Sequence, residues 1–236
     1  MTEAIWRQGT DPRILLDQVR SRISPRKLRW FACACVRAVW PLLSDPRSRR
    51  AIEVAERFAD GQASASELAS AELEAFEFAC LADLRTTVSD PQWAATRAAA
   101  RAANLDAYSA ASGAAFIAAL CSAPWHFSSA GTVTHHGNEE AKHFVRKTQC
   151  EMLRDIAGNP FLPMPVLDPA LLAWDNGLIP RWAEEIYTEA RFGDLPLLGD
   201  ALEEAGCRHD ALLDHCRQSS LHGRGCWVVD LLLNRC

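Results

Sequence analysis

Apolar residues recur along this chain three and four positions apart, the spacing of one face of an α-helix, and seldom in the strict alternation of a strand. Between residues 24 and 43, Leu28, Phe31, Ala32, Cys35, Val39 and Leu42 fall on one side and predict a core-facing stripe. Leu73, Phe76, Cys80 and Leu84 predict the buried face of a later helix, opened by a Ser64/Glu67 capping box. A capping residue followed by proline precedes several of these runs, at Asp11-Pro12, Ser24-Pro25, Asp45-Pro46, Asp90-Pro91 and Asp168-Pro169. The Asp or Ser oxygen can accept from free N–H groups of the first turn, and proline at the first helical position gives up a donor that had no partner. The pattern predicts helices near 12–22, 24–43, 46–60, 65–87, 91–121, 138–157, 178–191, 195–205, 208–217 and 226–234. The fold class is all-α.

Short connections among the first five helices predict an N-terminal helical bundle. Residues 122–137 have no helical period, and residues 158–168, "GNPFLPMPVLD", carry three prolines. The expected organisation is a bundle over 1–157, a Pro-rich linker or strap over 158–168, and a smaller acidic unit of short helices over 169–236 packed on the bundle. No repeat of fixed period points to a solenoid.

Composition sharpens this picture. About half of the 236 residues are apolar and 23% are charged, as in soluble globular proteins. The opening "MTEAIW" lacks the basic and apolar regions of a signal peptide. The uncharged run from Ala107 to Trp125 is mostly Ala, Ser and Gly, which predicts a tightly packed buried helix, not a bilayer span. Nine cysteines without any C-x-x-C pair suit reduced apolar fillers in a cytoplasmic protein better than a disulfide framework.

Charge is unevenly spread. Residues 1–60 hold twelve Lys/Arg against seven Asp/Glu, and residues 158–236 hold six against twelve. Arg26, Arg29, Trp30 and Arg37 on the second predicted helix are candidates for a nucleic-acid or partner surface. A charged face meeting acidic helices of the same chain explains the same residues, and the pI of 5.8 argues against a nucleic-acid partner.

Two clusters could hold a metal. In "HCRQSSLHGRGCW", His222 and Cys226 have a ligand-like gap, and His215 lies eight helical steps from Cys207, so Cys207, His215, His222 and Cys226 form a candidate zinc set. Cys216 shares a helical face with Leu212 and Leu213, as a buried structural cysteine would. Arg224 between Gly223 and Gly225 could help hold an anion, or pair with Asp214 or Asp230. The second cluster, "HHGNEEAKH", offers His135, His136, Glu140 and His143, with His126 nearby. A second E-x-x-H, which a carboxylate-bridged di-iron bundle would need, is missing. Packing and helix termination account for both clusters with no cofactor at all; zinc is the metal the first would take.

There is no G-x-S-x-G elbow, P-loop or dinucleotide fingerprint, and Cys33 and Cys35 point apart on one helix, so no catalytic residue is expected. The phrases "RKLRWFACACVRAVWPLL", "RRAIEVAERFADG", "MLRDIAGNPF", "IYTEARFGDLPLLGDALEEAGC" and "RGCWVVDLLL", taken together, resemble an uncharacterised family abundant in planctomycete bacteria. The likeness covers roughly residues 1–60 and 150–236. It departs from the family pattern at Val36 and Ala38, where a cysteine and an arginine would stand, which speaks against a metal role for Cys33 or Cys35. The resemblance implies a cytosolic bacterial protein and no particular activity. The expected role is therefore non-catalytic: binding another protein through a helical face, with Trp6, Trp30, Trp40 and Trp182 as candidate anchors. A nucleic-acid-associated protein and a metal-binding protein are the alternatives.

Overall fold

The computed structural model describes residues 2–83, 91–121, 126–127, 133–134, 139–218 and 221–235. Over these residues the protein is all-helical, with twelve α-helices and one antiparallel pair of two-residue strands, β1 (His126–Phe127) and β2 (Val133–Thr134). By contacts the chain divides into two compact units, residues 1–153 and 154–236.

In the first unit, α1 (Glu3–Gln8) and α2 (Pro12–Val19) precede α3 (Pro25–Arg37), α4 (Pro46–Ala59), α5 (Ala65–Asp83), α6 (Pro91–Ala102) and α7 (Ala107–Leu120). The Asp/Ser-Pro device works as the sequence predicts: the side chains of Asp11, Ser24 and Asp45 accept from Arg13, Lys27 and Arg47 N–H. Asp90 lies outside the described residues. Ser64 and Glu67 bond reciprocally, each backbone N–H donating to the other's side chain.

The core is built largely from alanine. Helix α7 buries Ala110, Ala111, Ala114, Ala115, Ala118 and Ala119, confirming a packed helix in place of a bilayer span. Among the described residues no helix is long and apolar enough to cross a membrane. Alanine also decides the facing of α5, where the expected stripe is corrected. Leu68, Ala71, Ala75 and Ala79 point inward, while Leu73 is 57% and Phe76 46% exposed. Between α4 and α6, small side chains let the backbones approach closely, and close packing outweighs burying two large residues.

Helix α3 is buried around most of its circumference. The stripe of Leu28, Phe31, Ala32 and Cys35 is in the core, but so are Trp30 and Cys33, expected on the opposite side. Arg29 is 2% exposed. Its guanidinium donates to the carbonyls of Ala102 (3.1 Å), Asn104 (2.6 Å) and Leu105 (2.8 Å). These oxygens are freed where the predicted helix 91–121 breaks into α6 and α7. Asp106 restarts the chain by accepting from Ser109 N–H, and Arg29 satisfies the acceptors left at the break.

The second unit holds the last turn of α8 (Glu139–Ala157), then α9 (Pro169–Glu189), α10 (Leu195–Glu204), α11 (Asp210–Arg217) and α12 (Trp227–Leu232). Asp168 caps α9 through Ala170 N–H, so helix begins before residue 178. Residues 174–177 then leave helical geometry, with Asp175, Asn176 and Gly177 at positive φ, before the run continues. Helix α9 packs on α10 and α12, and α11 on both of these.

Replacing Arg29 by Leu would take the donor from three carbonyls, that of Ala102 buried and those of Asn104 and Leu105 partly buried. We expect a loss of about 3 kcal/mol in chemical denaturation, with Arg29→Lys recovering only part of it because ammonium lacks the planar fork.

Candidate metal centre

Three segments of the second unit bring one carboxylate, two imidazoles and a thiol together. Asp155 sits in the last turn of α8, His215 in the last turn of α11, His222 in the following loop, and Cys226 immediately before α12. One potential ligand atom from each lies within 4.8 Å of all the others. The Oδ1 of Asp155 is 3.1 Å from His215 Nε2 and 2.6 Å from His222 Nδ1, and His215 Nε2 is 3.3 Å from Cys226 Sγ. The carboxylate is 4% exposed, and the side chains of His215 and His222 are 11% and 5% exposed. Cys226 is fully buried.

The surrounding chain fixes each group. Gly223 N–H donates to Asp155 Oδ2 at 3.1 Å, leaving Oδ1 to face the imidazoles. The Gly223 N–H, one of those that could have held an outside anion at this turn, thus serves a carboxylate of the chain itself. His222 Nε2 faces the Gln218 carbonyl at 3.2 Å, so that nitrogen donates and Nδ1 turns toward Asp155. Trp227 lies against His215 with ring centroids 5.2 Å apart. Its indole also packs on Gly158, the αL residue (φ +67) that ends α8, where an added Cβ would stand 3.1 Å from the ring. Gly225, at φ +89, makes the turn that delivers Cys226.

Electrostatics follow from this packing. Burial would push the Asp155 carboxyl up, but hydrogen bonds from His215 and His222, with their charge, hold it below the ordinary carboxylate range. For His222, burial acts downward, yet the bond to Asp155 and its charge raise the imidazole above its ordinary value. Burial and then the Asp155 charge keep the Cys226 thiol well above its usual range, against the pull of the Val229 and Val228 N–H groups.

The geometry separates two chemistries. A nucleophilic relay needs the thiol and the carboxylate on opposite imidazole nitrogens. Here both approach the same nitrogen, His215 Nε2, and burial holds the thiol well above its usual range. Convergence of several lone-pair atoms on one point is the arrangement a cation satisfies. Zn–N and Zn–O bonds near 2.0–2.2 Å and Zn–S near 2.3 Å place tetrahedral ligand atoms about 3.3–3.7 Å apart. The contacts of 3.1 and 3.3 Å around His215 Nε2 lie close to that spacing.

The structure brings His215, His222 and Cys226 of the expected set together and replaces Cys207 with Asp155. The phase argument joining Cys207 to His215 fails because α11 starts at Asp210. Cys207 lies before it, just past Gly206 (φ +95), and its N–H closes α10 on the Leu202 carbonyl. Cys207 is buried, and its charge raises Cys216, itself buried and pushed up to about 12 chiefly by desolvation. Asp155 escaped sequence reading because it stands among apolar neighbours, Leu153 and Ile156, 60 residues before His215. An acid between two core positions and one turn from a glycine is the only signal it gives.

The remaining candidates are placed elsewhere. Arg224 pairs with neither Asp214 nor Asp230; it donates to the Tyr187 and Thr188 carbonyls at 3.2 and 3.1 Å, in the last turn of α9. Glu140 and His143 are exposed at the start of α8, and His135 and His136 lie outside the described residues. Arg26 and Trp30 Nε1 both donate to Asp60 Oδ1, and Arg37 forms a two-pronged pair with Glu56 at 2.8 and 2.7 Å. Trp6 and Trp30 are buried, whereas Trp40 and Trp182 are half-buried. Compared with protein-family models, with curated proteins and with solved structures, the chain matches none.

The metal-free protein should show a stability plateau bounded by these two titrations. Asp155, lowered on folding, contributes above the ordinary carboxylate range, and the contribution is lost as pH falls through its lowered value. His222, raised on folding, contributes fully below about 6.5, and the contribution is lost as pH rises through its raised value. Urea denaturation across pH measures this; His222→Gln should flatten the alkaline limb and, by removing one of the partners that lower Asp155, move the acid limb to higher pH.

Proposed function

We propose that the C-terminal unit is a zinc-binding module held by Asp155, His215, His222 and Cys226, and that the protein is non-catalytic. The observation that carries this reading is the convergence of four donor atoms from three segments within 4.8 Å in a buried setting. Two anionic ligands, carboxylate and thiolate, balance the charge of Zn²⁺, so a neutral centre is buried. Four protein ligands complete a tetrahedron and leave no position for substrate or water, the mark of a structural site. Zinc would take the place of the protons on His215 Nε2, His222 Nδ1 and Cys226 Sγ. The Gln218 carbonyl and the Gly223 N–H would orient His222 and Asp155 from behind. The free cysteines among the described residues fit a reducing cytoplasm.

Elemental analysis of protein purified without added chelator should find one zinc per chain. A thousandfold excess of free zinc over its dissociation constant should add about 4 kcal/mol, raising Tm by about 10 °C. Cobalt substitution should give a tetrahedral visible spectrum with a thiolate charge-transfer band. Cys226→Ser should abolish that band and Asp155→Asn should weaken binding. Substoichiometric metal, together with a Tm indifferent to zinc, would reduce the cluster to a self-satisfied hydrogen-bond network.

A protein-binding role has one specific observation behind it. Leu73 and Phe76 on α5, large and exposed, line a cleft of about 370 Å³ against α6. An apolar helix of a partner is the occupant such a cleft suits. Leu73→Glu with Phe76→Glu should abolish partner crosslinking at unchanged helicity and Tm; retained crosslinking would remove this face from consideration.

A further inference from the structure

A second cleft lies wholly within the N-terminal unit, where α2, α7 and the α8 segment before residue 153 meet, and encloses about 490 Å³. That is the size of a small-molecule site. Its apolar lining comes from Leu16, Ala115 and Ala119, with Phe116, 62% exposed, beside them. Two cations, Arg13 and Arg146, line it as well, and neither guanidinium has an ion pair among the described residues. This sets them apart from Arg7, Arg26, Arg37, Arg47, Arg50 and Arg57, each of which has a carboxylate partner.

The polar lining is also incompletely satisfied. Gln149 is 3% exposed and donates its amide N–H to the Ala115 carbonyl at 2.9 Å, while its Oε1 has no partner. Asp11, the acid that lines this cleft, already accepts from Arg13 N–H as the cap of α2. Tyr108 commits its hydroxyl to Asp17, outside the lining. What remains uncommitted is the positive charge of Arg13 and Arg146 next to an apolar surface, with the Gln149 Oε1 acceptor deeper in the wall.

We infer that this cleft binds a small organic carboxylate with an apolar body, the acid paired with Arg13 and Arg146 and the body lying on Leu16, Phe116 and Ala119. A planar carboxylate matches the guanidinium fork in a way a neutral amide cannot. The site is independent of the zinc centre, which belongs to the other unit.

Octanoate serves as the probe, titrated into the ¹⁵N-labelled full chain. Saturable amide shifts around Arg13, Ser112 and Arg146 are expected, with binding at least tenfold weaker for octanamide. The double variant Arg13→Gln/Arg146→Gln should also bind octanoate at least tenfold more weakly; both arginines are exposed, and unchanged helicity verifies the fold. Ser112→Phe should fill the cleft and abolish the shifts. Shifts that never saturate, equal affinity for the amide, or undiminished binding by the double variant would each overturn the assignment.

Discussion

The C-terminal unit is organised around a carboxylate with almost no access to water. Asp155 has two imidazoles on one oxygen and a backbone N–H on the other, and the thiol of Cys226 lies within the same small volume. A charge buried to this depth persists only where partners repay its lost hydration. Those partners come from the end of α11, the loop after it and the residue before α12, so keeping the charge satisfied fixes how these segments meet. The left-handed turns at Gly158 and Gly225 serve the same end, one making room for Trp227 over His215 and the other delivering the thiol. The zinc proposed for this cluster would balance the charge of Asp155 and Cys226 and would use lone pairs that protons otherwise occupy.

The N-terminal unit solves a different problem with arginine. Its helices pack on alanine, which brings backbones close and leaves helix ends with carbonyls to satisfy. Arg29 closes the end of α6 from inside the core, while Arg26 meets Asp60, just past the end of α4, and Arg37 meets Glu56 within it. The positive charge concentrated in residues 1–60 is thus in large part spent on structure. Arg224 does the same for α9 in the second unit, from a turn that reads in sequence as an anion cradle. In both units an arginine that looks like a ligand-binding group in one dimension serves as a helix cap in three.

The sequence revealed most where the determinants are local. Capping residues followed by proline marked the starts of α2, α3 and α4, and Ser64 with Glu67 marked that of α5, because these bonds form within one turn; the same device at Asp168-Pro169 opens α9, which the apolar period placed only from 178. It misread the facing of α5, since Leu73 and Phe76 outweigh alanine on any hydrophobicity scale, whereas close helix packing rewards the smaller residue. It ran α6 into α7, passing over the Asp106 cap that restarts the chain; the Arg29 bonds to the carbonyls at the break come from more than 70 positions earlier. It also missed α1, whose capping residue Thr2 makes no side-chain bond.

The candidate site divides along the same line. His215, His222 and Cys226 were legible, being close in sequence and of ligand type. Cys207 was included by helical phase, which holds only along an unbroken helix, and Asp155 was left out because its one local signal, a place between core positions and a turn before a glycine, says nothing of the histidines 60 and more positions later. By itself, then, the sequence determined the helical class and most helix starts, set by contacts spanning a few positions, and pointed to three of the four residues of the candidate cluster. Only the tertiary structure decided which acid completes the cluster, which face of α5 is buried and which arginines are already paired. Each of those outcomes depends on groups that meet only once distant segments of the chain have packed.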